Sequence, residues 1–332
     1  MFSERDQLIE CVPNFSEGRN PKTIEAIANT IRNIADVKLM NIDVGFDANR
    51  TVYTFAGKPQ AVLEAAFEAI KVASELIDMR THKGEHPRMG ACDVCPLIPL
   101  QNISMNEVVG LSAQLGKRIG DLGIPVYLYE YSAANISRAN LAYLRKGEYE
   151  YIEEKIKSEE WKPDFGEQKF NPTFGMMALG ARKFLIAYNI NLKTKDESIA
   201  KAIAKKIRDI RKQNDGSYLS NLFQNVKAIG WFMEAFDCAQ VSTNITDIEA
   251  SPIIEVFTVI KEMAKDLGVE TNGSELIGLI PLKAFSLNLN SHDLYDEDDL
   301  EKKIDYLGLN AVKPFSKEEN IIEYCLNTDL ND

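Results

Sequence analysis

Hydrophobic and polar residues in the N-terminal third of the chain follow strand and helix periods in alternation. Short apolar runs rich in β-branched and aromatic residues have the composition of strands, whereas two longer stretches repeat apolar residues at helical spacing. Asn20 and Pro21 form a suitable helix start, with Asn20 as the N-cap. The predicted elements are a strand at residues 8–12, a helix from Pro21, strands at residues 37–44 and 50–56, a helix from Pro59 and a strand at residues 92–98.

The same order of elements returns in the C-terminal half. There the pattern predicts strands at residues 182–190, 226–233, 238–243 and 276–281, with helices at residues 198–211 and 252–267. A β-α-β-β-α-β order is the split unit of ferredoxin-like folds, in which two helices cover one face of an antiparallel sheet. We therefore expect an α+β protein with two tandem ferredoxin-like subdomains, at residues 1–180 and 181–332.

The segment between the two repeats contains a further helix near residues 106–119 and a strand, IPVYLYE, at residues 124–130. It ends in a loop-rich stretch, WKPDFGEQKFNPTFG, at residues 161–175. Two prolines, two glycines and four aromatic residues suit a binding segment, because ligand-contacting residues are common in long loops. A simple linker can have the same composition, and the pattern alone leaves both interpretations open.

The charge of the chain narrows the classes of ligand. There are 50 acidic and 38 basic residues, a formal net charge of -12, without the concentrated basic face of a nucleic-acid-binding protein. An anionic small molecule would need cations gathered locally at its site. No secretory leader or membrane span is evident, and an odd number of cysteines, five, favours buried reduced thiols. These features predict a cytoplasmic protein that binds neither nucleic acid nor membrane.

The densest chemistry lies in THKGEHPRMGACDVCP, residues 81–96. His82, His86, Cys92 and Cys95 have spacings that metal ligands use, but glycine and proline interrupt any helix across the histidines, and residues three apart on a strand point to opposite faces. A redox pair is disfavoured because Cys92 opens a strand instead of a helix. We expect buried structural cysteines and no metal. His86 is then either a base near neutral pH or an ordinary loop histidine, and the residues alone do not separate the two.

The acidic run HDLYDEDDLEKK, residues 292–303, superficially resembles a calcium-binding loop. It lacks the glycine at the turn and the glutamate at the closing position of such loops. We predict a solvated helix start instead, with His292 beside it at the surface.

Five blocks of the sequence, in this order, resemble the glutamate formimidoyltransferase family, the transferase portion of the formiminotransferase-cyclodeaminases. The blocks are ECVPNFSEG at residues 10–18, NRTVYTFAG at 49–57, HKGEHPRMG at 82–90, PVYLYE at 125–130 and GARKFLIAYNINL at 180–192. The likeness runs from near residue 7 to PFSKEENIIEY close to the C-terminal end. The resemblance implies two ferredoxin-like subdomains around a ligand tunnel, assembled as a homodimer.

The resemblance also implies an activity. Members of the family transfer the formimidoyl group between N-formimidoyl-L-glutamate and tetrahydrofolate, the co-substrate, giving 5-formimidoyltetrahydrofolate and L-glutamate in histidine degradation. Formyl transfer between 5-formyltetrahydrofolate and glutamate is one alternative, and a folate-binding module without catalysis is another. Because the sequence ends after one transferase unit, we expect any cyclodeaminase to be a separate protein.

The resemblance assigns roles to particular residues. The family's catalytic histidine falls on His86 and the aspartate beside it on Asp43. We expect Arg50, Lys83 and Arg88 to bind substrate carboxylates, because they lie in the matching blocks and arginine binds carboxylates through two hydrogen bonds. The predicted folate-contacting residues are Gly166, Glu167, Gln168, Lys169, Phe170, Asn171, Pro172, Thr173, Phe174 and Gly175.

Overall fold

The chain folds into two compact units in a computed structural model that describes residues 3, 5–286 and 297–327. The units are Met1–Arg182 and Lys183–Asp332, and each is built on one β-sheet with helices. The α+β class predicted from the hydrophobic pattern is therefore confirmed. Within the described part of the chain, no helix combines the length and the apolar character that a membrane crossing requires.

The first unit begins with the predicted alternation of strands and helices. In chain order its elements are β1 (Leu8–Cys11), β2 (Asn14–Phe15), α1 (Pro21–Arg32), β3 (Val37–Gly45), β4 (Arg50–Gly57), α2 (Pro59–Leu76), β5 (Cys92–Gln101), α3 (Met105–Gly120), β6 (Val126–Leu128), α4 (Leu141–Arg145), α5 (Ile152–Lys155) and β7 (Met177–Ala181). Asn20 caps α1 as predicted, because its side chain accepts a hydrogen bond from the Lys22 N–H and Pro21 lies in the first turn. Ser104 and Glu107 form a capping box at the start of α3.

The first sheet has seven strands, in the order β3, β4, then β1 and β2, then β5, β7 and β6. Pairs among the first five strands are antiparallel as predicted, whereas β7 runs parallel to both β5 and β6. The strand predicted at residues 182–190 is wrong at its start, since β7 ends at Ala181 and the next strand begins only at Ile186. The sequence of β7, MALGA, is rich in small residues and carries little strand signal.

The core of the first unit lies between this sheet and its helices. Buried residues of α1 and α2, mainly alanine, isoleucine, leucine and valine, pack with Phe15, Tyr53 and Phe55 from the strands. All five cysteines of the chain are buried with free thiols, as predicted, and Sγ of Cys11 lies 3.5 Å from Sγ of Cys95. β5 lies inside the sheet and is buried along most of its length. The strand therefore holds the C-terminal end of the preceding loop, at residue 91, in a fixed position.

The second unit repeats the β-α-β-β-α-β order. Its elements are β8 (Ile186–Leu192), α6 (Glu197–Gln213), α7 (Tyr218–Phe223), β9 (Val226–Met233), β10 (Cys238–Ile245), α8 (Ile253–Asp266), β11 (Thr271–Ile277), α9 (Glu297–Leu307), α10 (Lys317–Asn320) and α11 (Ile322–Asn327). Its sheet has the order β11, β8, β10, β9, and every pair is antiparallel. The last strand was predicted at residues 276–281, but β11 begins at Thr271 and ends at Ile277. The prediction missed its start because the polar residues Ser274 and Glu275 are buried in the strand and interrupt its hydrophobic pattern.

The described part of the acidic run, from Glu297 onward, forms the beginning of helix α9, as predicted. His292, predicted to be a surface residue, lies outside the described residues.

Candidate active site

Asn49 connects three loops next to the predicted catalytic histidine. It has a left-handed backbone, φ 47°, which asparagine tolerates better than most residues. Its Oδ1 accepts from the Gly18 N–H at 2.9 Å, and its Nδ2 donates to the Lys83 carbonyl at 2.9 Å. Its own carbonyl lies 2.9 Å from Nε2 of the buried His82. His82 is therefore a structural residue that fastens its loop to the turn between β3 and β4.

Residues 82–90, which we call the His86 loop, lie directly on this turn. A Cβ atom on Gly84 would come within 2.2 Å of the Ala48 carbonyl oxygen, so only glycine allows the two backbones to approach so closely. The Glu85 N–H donates to the Asp47 carbonyl at 3.2 Å. These contacts fix the backbone on both sides of His86.

The aromatic loop, residues 166–175, is joined to the other end of the His86 loop. The Ala91 N–H donates to the Phe174 carbonyl at 2.8 Å, and the Met176 N–H donates to the Met89 carbonyl at 3.1 Å. Gly175 has φ +85°, and a Cβ atom there would lie 2.2 Å from the Met89 carbonyl oxygen. The structure thus brings the predicted folate-contacting segment beside the predicted catalytic loop.

Residues within the aromatic loop differ in what their side chains contact. Phe174 is 1% exposed and packs in the core of the first unit, so its ring faces away from solvent. Phe170 is half-buried, and its ring centroid lies 5.8 Å from that of Tyr149. The Tyr149 hydroxyl donates to the Pro172 carbonyl at 2.6 Å. The exposed members of the loop are Gly166, Glu167, Gln168, Lys169, Pro172 and Thr173, while Asn171 is half-buried and Gly175 is buried.

The imidazole of His86 is half-buried and directly contacts an arginine. Nη1 of Arg50 lies 2.6 Å from Nε2 of His86. Burial lowers the pKa of His86 to about 4, and the positive charges of Arg50 and Arg145 act in the same direction. Asp93 opposes this shift, with a smaller contribution from the Pro87 backbone. The ring is therefore neutral at physiological pH in this arrangement.

Asp93 and Arg145, neither of which was predicted from the sequence as a site residue, form a buried ion pair behind the His86 loop. Asp93 is 1% exposed, and its carboxylate accepts from the Met89 N–H at 2.8 Å and from Nε of Arg145 at 2.9 Å. A lone charged residue in the apolar strand CDVCPLI is a signal that could have identified Asp93. No pattern around Arg145 marks it, because its partner lies 52 residues away.

Asp43 lies on β3 with an exposed side chain, two residues before the strand ends. Among the hydrogen bonds of the described residues, none joins Asp43 to His86. Its charge acts on Arg50 and favours the charged guanidinium. Arg50 therefore contacts His86 directly and is affected by the charge of Asp43, and direct orientation of His86 by Asp43 stays a prediction.

Two of the predicted carboxylate-binding cations have very different surroundings. The Arg88 side chain is 8% exposed and is held by Glu148 at 3.0 Å and by both carboxylate oxygens of Glu150 at 2.7 and 2.8 Å. These bonds raise the pKa of Arg88 and lower that of Glu150 to about 2. Lys83 is mostly exposed, and its Nζ lies 3.9 Å from Glu150. Arg88 thus already has two carboxylate partners from its own chain, whereas Lys83 faces solvent.

Replacing Arg88 by methionine is expected to lower the free energy of unfolding by about 1–3 kcal/mol, since it removes charge-assisted hydrogen bonds made by a buried guanidinium. Urea unfolding would measure the loss. Arg80→Met is the matched control, because Arg80 pairs with Asp78 at the surface and its removal should change stability far less. Equal stability of the Arg88→Met variant and the original chain would contradict the assigned structural role.

The four side chains considered as metal ligands have separate partners. His82 contacts Asn49 and His86 contacts Arg50. Cys95 lies beside Cys11, and Sγ of Cys92 lies 3.9 Å from the Val94 carbonyl oxygen. Within residues 3, 5–286 and 297–327, no group of three or more histidine, cysteine or carboxylate side chains has the arrangement of a metal site.

Two family models match almost the whole chain. Residues 8–182 match the formiminotransferase domain, N-terminal subdomain, and residues 187–327 match the formiminotransferase domain. The chain belongs to the formiminotransferase family. The resemblance seen in the five sequence blocks is therefore confirmed.

Relatives within the formiminotransferase family are of two lengths. The chain is 44% identical over 329 residues to formimidoyltransferase-cyclodeaminase from Rattus norvegicus, covering 96% of this chain but only 60% of that protein. It is 44% identical over 300 residues to glutamate formimidoyltransferase from Streptococcus pyogenes serotype M1, covering 90% of this chain and 97% of that protein. The protein of the same name from Thermoplasma acidophilum is 40% identical over 307 residues, with 97% of its length covered.

Proposed function

We propose that this protein is a glutamate formimidoyltransferase, which transfers the formimidoyl group between N-formimidoyl-L-glutamate and tetrahydrofolate in histidine degradation. The observation that carries the proposal is the 44% identity across 97% of a relative with that name. The chain spans about 60% of the longer, bifunctional relatives, so only their transferase activity enters the proposal. Tetrahydrofolate is then a co-substrate.

The reaction moves one carbon between two nitrogens, so a proton must leave the attacking amine and another must reach the departing amine. We assign both transfers to His86, whose fixed loop and half-buried ring support a role as general base and then general acid. Asp43 and Arg50 would tune the charge around the ring, as carboxylates do beside other catalytic histidines. The amidinium carbon is already electrophilic, so the mechanism requires no metal.

We further propose that the exposed residues of the aromatic loop contact folate. The ring of Phe170 next to Tyr149 offers an aromatic surface for the pterin or benzoyl group, and Lys169 and Lys83 offer positive charge for carboxylates. Phe174 and Gly175 would then support the loop from behind through their contacts with residues 89–91. Arg88 would act on substrate only if it exchanged its partners Glu148 and Glu150.

The proposed architecture is a pair of ferredoxin-like subdomains. The sheet order β11, β8, β10, β9, with antiparallel pairs and two long helices, supports this for the second unit. A ligand tunnel, a homodimer, a cytoplasmic location and a separate cyclodeaminase partner stay predictions.

A direct assay tests the proposed function. Purified protein mixed with tetrahydrofolate and N-formimidoyl-L-glutamate should form 5-formimidoyltetrahydrofolate, measured as the absorbance of the methenyl compound after acid treatment. A parallel reaction between 5-formyltetrahydrofolate and glutamate measures formyl transfer. Folate binding without turnover in either reaction would contradict the proposal and favour a binding module. Formyl transfer that is faster than formimidoyl transfer would identify 5-formyltetrahydrofolate as the donor instead.

A further inference from the structure

We propose that Arg50 blocks the basic nitrogen of His86 in the free protein, and that a carboxylate of the bound substrate draws Arg50 away and frees this nitrogen to accept a proton. The identity of that carboxylate, the glutamyl group of the donor, rests on the proposed function. The contact between Arg50 and His86 does not rest on the proposed function, because the 2.6 Å distance from Nη1 of Arg50 to Nε2 of His86 is a property of the protein alone. Arg50 is thus a positioning residue that controls the base.

The contact with Arg50 determines which ring nitrogen of His86 carries the proton. An arginine side chain has only hydrogen-bond donors, so Nε2 must accept through its lone pair. In the neutral ring the proton then resides on Nδ1. Nδ1 is buried and makes no hydrogen bond to any residue that the structure describes. With one nitrogen engaged and the other protonated, His86 has no free lone pair for the proton of an attacking amine.

Charged groups from three elements act on the His86 ring. Arg50 at the start of β4 and Arg145 at the end of α4 disfavour a proton on it, whereas Asp93 on β5 favours one. Arg145 and Asp93 are already joined in an ion pair, which fixes both groups. Among the residues that the structure describes, no carboxylate forms a comparable ion pair with Arg50, so Arg50 is the cation whose movement can change the protonation of His86.

A substrate carboxylate is a better partner for Arg50 than a neutral imidazole. Guanidinium and carboxylate can form two parallel charge-assisted hydrogen bonds, which are about twice as strong as neutral ones. Burial and the positive charge of Arg145 disfavour the charged form of Arg50, whereas the carboxylates of Asp93 and, more weakly, of Asp43 on β3 favour it. The effect of Asp43 indicates that negative charge approaching from β3 stabilises the guanidinium. Substrate binding therefore removes the blocking contact and neutralises the closest opposing charge in one step.

Proton transfer is balanced in this scheme. N5 of tetrahydrofolate attacks the formimidoyl carbon, and His86 accepts the N5 proton on the freed Nε2. The carbon–nitrogen bond to glutamate then breaks, and the same proton passes from Nε2 to the departing glutamate nitrogen. No oxidant or other reactant is consumed, and Arg50 returns to Nε2 when glutamate leaves.

Titration of His86 by nuclear magnetic resonance tests the inference without turnover. Imidazole signals of the three histidines are assigned with His82→Gln and His86→Gln variants, and pH is varied in the free protein. We expect His86 to be the Nδ1–H tautomer with a pKa of about 4. Arg50→Gln should raise its proton affinity at least about tenfold, one pH unit. Arg50→Lys should keep most of the suppression, and Arg32→Gln, which removes an exposed arginine on α1, should have no effect.

Saturating L-glutamate supplies the carboxylate in the second half of the experiment. It should raise the pKa of His86 in the original chain, and it should add no further rise in Arg50→Gln. An ordinary pKa near 6.5 in the free protein, or an unchanged value in Arg50→Gln, would overturn the blocking contact. If Arg50→Gln raised the pKa of His86 as expected but glutamate left the pKa of His86 in the original chain unchanged, the release of Arg50 by substrate would be overturned. None of these results depends on formimidoyl transfer, so failure of the proposed activity is recognised separately in the turnover assay.

Discussion

Replacing His86 by alanine is expected to lower kcat for formimidoyl transfer by about 100- to 10,000-fold, the range that positioned general acid–base catalysis usually contributes. The ring is half-buried in a loop whose backbone is held on both sides by Asn49, Gly84 and the contacts of Met89. His82, the other histidine that the structure describes, does not offer a second imidazole for the task, because it is buried and held by Asn49 and Arg88. The absorbance assay with saturating substrates measures the change.

Substrate binding provides the control for the His86 variant. Folate affinity should change little, since no predicted folate-contacting residue is altered, and isothermal titration with tetrahydrofolate measures it. His86→Gln has a similar size to the imidazole and should lose activity as severely as His86→Ala. Turnover within a few-fold of the original chain in both variants would rule out His86 as the proton-transfer group.

Replacing Asp93 by alanine is expected to cost roughly 3 kcal/mol of unfolding free energy, near the lower end for breaking a buried ion pair, because Arg145 keeps some solvent contact. The change removes the acceptor of the Met89 N–H and leaves the Arg145 guanidinium without its carboxylate. Arg145 then adds uncompensated positive charge beside His86, so transfer activity should fall as well. Urea unfolding and the absorbance assay measure the two effects.

Asp93→Asn separates the two functions of this carboxylate. An asparagine oxygen can still accept from the Met89 N–H, whereas the charge that balances Arg145 is lost. We expect a stability between those of the original chain and Asp93→Ala. Asp78→Asn is the surface control, because Asp78 pairs with Arg80 in solvent and should affect stability little. If Asp93→Ala unfolded at the same urea concentration as Asp78→Asn, the buried pair would have no structural importance.

The amino-acid composition of the aromatic loop was not enough to decide its role. Its glycines and aromatic residues left a linker and a binding segment equally open, and the resemblance to the family favoured binding. Hydrogen bonds from the N–H groups of residues 79 and 91 to carbonyls of this loop then showed that it is part of the same structure as the His86 loop. Within it, Phe174 proved to be a core residue, a distinction that composition does not contain.

Local pattern in the sequence determined the elements, because the period of apolar residues and the helix start at Asn20 and Pro21 act over a few neighbouring positions. It also determined the family, through long ordered blocks that include His86. Only the tertiary structure decided the partners of the charges: Arg50 on His86, Arg145 on Asp93, and Arg88 on two glutamates. The physical reason is that the interaction energy of two charges depends on their distance and on their burial in the folded chain, and neither quantity follows from their spacing along the sequence.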